Sequence, residues 1–172
     1  MMNPTLDQTA LDELTTILRK ELEEYGALLA LLVEQQEYIL QRNPDTLMNI
    51  NDEVEAQMQA NHGLLEQRKG ILRDLSKQLG KKEESTVSQL IPHLPEGQRP
   101  MFDSLTTEIN SLIGNARRKV KQNQVLLSRL SEVTSEILDG VAPEGSITKT
   151  YDRRGDLNVS SNIEKRTLKA TV

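Results

Sequence analysis

Leu11, Leu18, Tyr25, Leu32 and Ile39 stand at every seventh position of one stretch, and Leu14, Leu22, Leu28 and Leu29 widen that line into an apolar face. Seven residues are two turns of an α-helix, whereas a strand shows the same face every second residue, so this spacing commits the stretch to a helix. Two further stretches repeat the pattern. One runs through Leu47, Ile50, Val54, Met58, Leu65, Ile71, Leu72, Leu75 and Leu79, the other through Leu105, Ile109, Leu112, Ile113, Ala116, Val120, Leu127, Leu130, Val133, Ile137 and Leu138. With no Trp, one Phe and three Tyr in 172 residues, the interior must be filled by aliphatic side chains, as in bundles and coiled coils. An all-α fold of three long antiparallel helices follows, a coiled-coil-like rod of helices about 55 to 60 Å long.

Local signals set the boundaries. Asn3 can cap a first helix with Pro4 in its first turn, and the same dipeptide returns at Asn43-Pro44, closing helix one and opening helix two. So short a break makes a helical hairpin. Gly80, followed by Lys81 and Lys82, suits a helix C-terminus, and Ser85 is a cap for a short helix to Ile91. Pro92, Pro95, Gly97 and Pro100 then break the chain before the third long helix. The expected helices are about 4–42, 44–79, 85–91 and 99–139, forming one body over 1–139, with a flexible tail over 140–172. Gln57, Asn61, Arg68 and Asn123 fall on or beside apolar seams. Such residues fix register between long helices, or else mark an imperfectly zipped groove open to a partner. Met48, Met58 and Met101 suit either a core or an adaptable groove.

The chain offers little to chemistry. It has no cysteine, hence no disulfide or thiolate site, and its two histidines, His62 and His93, lie in different elements without neighbours at ligand spacing. The pairs Glu23-Glu24, Asp52-Glu53 and Glu83-Glu84 are adjacent, so their members diverge around a helix. No glycine-rich phosphate loop, nucleophile elbow or triad is present. No enzyme activity, cofactor or metal is expected. A net charge of −5 argues against nucleic acid, and the basic group Arg117-Arg118-Lys119-Lys121 is expected to pair with Glu residues of a neighbouring helix. The N-terminal stretch is neither basic nor continuously apolar, and the longest apolar run, Ala27 to Val33, is far below the ~20 residues of a membrane span. A cytoplasmic protein without membrane insertion is expected.

The tail changes character. Gly140, Pro143 and Gly145 cluster at its start, and no helical period is sustained beyond them. Alternation at Leu157 and Val159, and from Ser146 to Thr150, also permits short extended segments. Lys149, Arg153, Arg154, Lys165, Arg166 and Lys169 outnumber its carboxylates, against a negative helical body.

The segment Gln122-Asn123-Gln124-Val125-Leu126-Leu127, an Asn-x-x-Leu-Leu element followed by more helix, resembles the third helix of FlgN-type flagellar export chaperones. Leu64-Leu65-Glu66-Gln67-Arg68-Lys69 with Leu72 and Leu75 is similar to that family's Leu-rich segment, and Tyr151 followed by Gly155 to its Tyr-x-x-x-Gly after the last helix. The order of long helix, long helix, connector, long helix and tail agrees over essentially the whole chain. The resemblance implies a cytoplasmic chaperone of flagellar type III export that binds the C-terminal helical region of hook-filament junction proteins, prevents their premature assembly and brings them to the export gate. Carried over by position, Asn123, Leu126, Leu127 and Leu130 lie in the cargo-binding helix, and Tyr151 with Gly155 docks to the export-gate platform protein. Asp152, Arg153 and Arg154 make this tail more charged, and longer, than the family pattern. Such a chaperone is a monomer or weak dimer. The alternative is a coiled-coil adaptor or scaffold whose apolar stripes are satisfied by self-association.

Overall fold

The structure, a computed structural model, describes residues 6–81, 85–141, 148–151 and 157–160. The elements are α1 (Gln8–Gln41), α2 (Pro44–Gln78), α3 (Val87–Leu90), a 3-10 turn (Ile91–His93), α4 (Arg99–Val141), β1 (Thr148–Tyr151) and β2 (Leu157–Ser160). The chain divides into two compact units, Met1–Leu126 and Leu127–Val172. Outside the short β1–β2 pair the fold is all-α, and its long helices are those marked by the seven-residue repeat.

α1 starts later than the sequence suggests. Its N-cap is Asp7, whose carboxylate accepts from the Thr9 N–H at 3.0 Å, while Asn3 and Pro4 lie outside the described residues. Asp, Asn, Ser and Thr cap by the same chemistry, so composition alone does not choose among neighbouring candidates. At the other end Arg42 takes a left-handed backbone (φ 55°) and its N–H returns to the Ile39 carbonyl at 3.2 Å. Asn43 then caps α2 through the Thr46 N–H at 3.3 Å, with Pro44 in the first turn. This tight reversal makes α1 and α2 an antiparallel hairpin. Gly80 closes α2 at φ 69°, a conformation that costs a side-chain-bearing residue roughly 1 kcal/mol. α3 is capped by Thr86 rather than Ser85, because Thr86 and Gln89 form a reciprocal capping box. Ser85 is instead buried and donates its N–H to the Ser76 hydroxyl at 3.0 Å.

In the first unit α4 runs in the direction of α1. Arg19 Nη2 lies 3.8 Å from Met101 Sδ near its start, and Asn123 reaches the Leu32 carbonyl further along. Two apolar clusters hold the three helices. The larger contains Leu11, Leu14 and Leu18 of α1, Leu72 and Leu75 of α2, Val87 and Leu90 of α3, Leu94, and Phe102 and Ile109 of α4. The smaller joins Leu28 and Leu32, Ile50 and Val54, and Ala116. α3 and the turn after it exist to close the larger cluster: Leu90 and Leu94 are buried although their segment is short.

In the second unit β1 and β2 pair antiparallel, with Thr148 opposite Ser160 and Tyr151 opposite Leu157. These are segments in which the alternation permitted extended backbone. The expected flexible tail otherwise falls on 142–147, 152–156 and 161–172, outside the described residues.

Candidate functional site

The two apolar clusters are separated by a polar layer. Glu21 of α1 is fully buried and accepts from Arg68 Nη1 of α2 at 2.9 Å. Burial pushes the Glu21 carboxyl above its ordinary range, and the Arg68 charge and hydrogen bond offset only part of that. Tyr25, half-buried next to it, has its phenol raised by burial first and then by the Glu21 charge. Gln57 donates to Asn61 Oδ1 at 3.1 Å and to the Glu24 carboxylate, and Asn61 is itself buried. The polar seam residues of α2 thus face α1 and fix its height.

A second polar tie links all three long helices. Gln35 of α1 donates to Asn51 Oδ1 of α2 at 2.7 Å and accepts from Asn123 Nδ2 of α4 at 2.7 Å. The same Asn123 amide donates to the Leu32 carbonyl at 2.9 Å. Lys119 of α4 adds a bond to Gln36 Oε1 at 2.8 Å. The sequence carried a signal for both polar ties. Counting sevens from Leu14 gives Glu21, Leu28 and Gln35, a second line on the same face in which the polar members are the two that bond across helices.

Beside this tie α1 and α4 leave an open groove of about 470 Å³, lined by Gln36, Arg118, Lys121, Gln122, Val125 and Leu126. Val125 is 44% exposed and Leu126 half-buried. Of the residues carried over by position, Asn123 is buried and bonded to α1, and Leu126 lines the groove. Leu127 and Leu130 belong to the second unit and are half-buried. There Val133, Ile137 and Leu138 stand exposed on α4. Tyr151 is the last residue of β1, and Gly155 lies outside the described residues.

The basic group of α4 differs from expectation. Among the described residues none of Arg117, Arg118, Lys119 and Lys121 forms an ion pair; Lys119 bonds the neutral Gln36 and Arg118 the side-chain oxygen of Asn115. Among the described residues Glu21, Glu66 and Asp74 form ion pairs with α2 cations.

Chemically the groove sets two apolar side chains, Val125 and Leu126, beside two cations, Arg118 and Lys121. No cluster of three or more potential metal ligands occurs among the described residues, and no helix among them is long and apolar enough to cross a membrane. Among curated proteins and among solved structures nothing matches the chain. A family model, described as FlgN protein, matches residues 1–158. That span takes in every helix described above, so the chain belongs to the FlgN family and is a flagellar export chaperone.

Proposed function

We propose that the protein binds the C-terminal helical region of hook-filament junction proteins in the cytoplasm, keeps them from assembling early and delivers them to the export gate. The observation that carries this is the apolar side chains left open on α4: Val125 and Leu126 in the groove of the first unit and, in the second unit taken by itself, Val133, Ile137 and Leu138. A polymerising protein has an amphipathic terminal helix that must be covered reversibly, and an unfilled helical face does so with the same i, i+3, i+4 spacing. In this reading residues 1–139 are the chaperone body and 140–172 a tail that addresses the gate. Leu126, Leu127 and Leu130 touch cargo, Asn123 holds α4 in register against α1, and Tyr151 with Gly155 contacts the export-gate platform protein. The chaperone acts as a monomer or weak dimer, because a strong self-association would occupy the face that cargo needs.

Calorimetric titration of a junction-protein C-terminal segment into Leu126→Asp tests the cargo face. Affinity is expected to fall about tenfold or more, as for a central apolar anchor, with helical content intact. Wild-type affinity in that variant would remove Leu126 from the site. For the tail, Tyr151→Ala is expected to lower secretion of the junction protein while leaving its binding unchanged, and unaltered secretion would end the docking role.

A further inference from the structure

Arg118, Lys121, Gln122 and Val125 succeed one another at i, i+3, i+4 and i+7, so two cations and an apolar residue share one face of α4, and all four line the α1–α4 groove. Arg118 and Lys121 are exposed, and among the described residues neither has a carboxylate partner. This holds in a chain with a net charge of −5, where acidic side chains are in excess. The groove therefore combines an apolar floor with a cationic rim whose counter-charge the described body does not supply.

We infer that this groove selects a helix whose apolar face is flanked by Glu or Asp. The inference rests on the proposed cargo face and adds to it the charge pattern of the occupant. Aliphatic side chains of such a helix enter beside Val125 and Leu126, while its flanking carboxylates meet Arg118 and Lys121 at the solvent edge. Rim charges of this kind contribute modestly to affinity and strongly to choice of partner and to association rate, because a like charge placed opposite is rejected. A polyanion such as RNA fits less well. It offers no aliphatic ridge for the floor, and the acidic body opposes its approach.

The test compares two synthetic helical peptides with the same Leu face, one flanked by Glu and one by Lys, binding to the full chain by fluorescence anisotropy. The Glu peptide is expected to bind about fivefold more tightly at low salt, with the difference shrinking at high salt. Arg118→Glu with Lys121→Glu is expected to invert the preference, and Arg118→Gln with Lys121→Gln to abolish it. Both changes sit at exposed positions, and circular dichroism checks that the helices persist. Equal affinity for the two peptides, failure of both to bind, or a preference that survives charge reversal overturns the inference. So does tighter binding of an RNA oligomer or of phosphatidylglycerol vesicles than of the Glu peptide. A junction segment that binds wild type and the charge-reversed variant equally defeats this inference and leaves the chaperone reading standing. A junction segment that wild type ignores, with the Glu peptide still preferred, defeats the chaperone reading alone.

Discussion

At the scale of single residues, the molecule uses buried polar groups to align helices that apolar stripes alone leave free to slide. A Leu stripe fits its neighbour almost equally well one turn up or down, whereas Glu21 must meet Arg68 and Asn123 must meet Gln35. Asn61, Arg68 and Asn123 were legible in the sequence as polar breaks in apolar faces. Their partners were not, because Glu21 stands close to the exposed pair Glu23-Glu24 and looks like one more surface acid until the sevens are counted from Leu14. The Glu21 pair also predicts a pH effect. Since burial raises this carboxyl above its ordinary value of 4.5, the folded state holds the proton more tightly than the unfolded state. The stability it contributes is complete below that ordinary value and is lost as pH rises through the raised one. Wild type should therefore gain stability relative to Glu21→Gln as pH is lowered from 7 toward 4.5, read from urea midpoints of the two proteins. A relative loss on acidification would mean that the Arg68 attraction outweighs burial.

At the scale of elements, the three long helices follow from their repeats because nothing else in the chain competes with an apolar face sustained over so many turns. Their ends were less legible. Asp7 caps where Asn3 was expected and Thr86 where Ser85 was, since a cap is chosen by where packing stops the helix and by which neighbour can close a box, as Gln89 does for Thr86. Packing also divides the elements unequally. The cluster sealed by α3 has ten buried residues against five in the cluster around Leu32, with the Glu21 layer between them. Native-state hydrogen exchange should find the amides of Leu14, Leu18 and Leu75 released only by global unfolding. Those of Leu28, Leu32 and Val54 should open at a free energy lower by about 2 kcal/mol or more, at least the order of a single buried aliphatic side chain. Equal protection of the two groups would show the polar layer transmitting cooperativity rather than interrupting it.

At the scale of the whole molecule, the proposed function lies in what the helices leave uncovered. The candidate site was partly legible. Val125 and Leu126 belong to an element that the family resemblance singled out, and Leu126 does line a groove. The cationic rim was visible as a cluster, yet its lack of carboxylate partners among the described residues depends on which neighbours the fold brings near, which no local pattern encodes. The central claim is that this chain covers the terminal helix of an export substrate, one copy to one. Calorimetric titration of the full chain with the C-terminal segment of a hook-filament junction protein, after its mass in solution is measured, tests that most directly. The account predicts a monomer or weakly associating dimer that takes up one segment per chain; a stable oligomer that ignores the segment would contradict it and make the apolar faces sites of self-association.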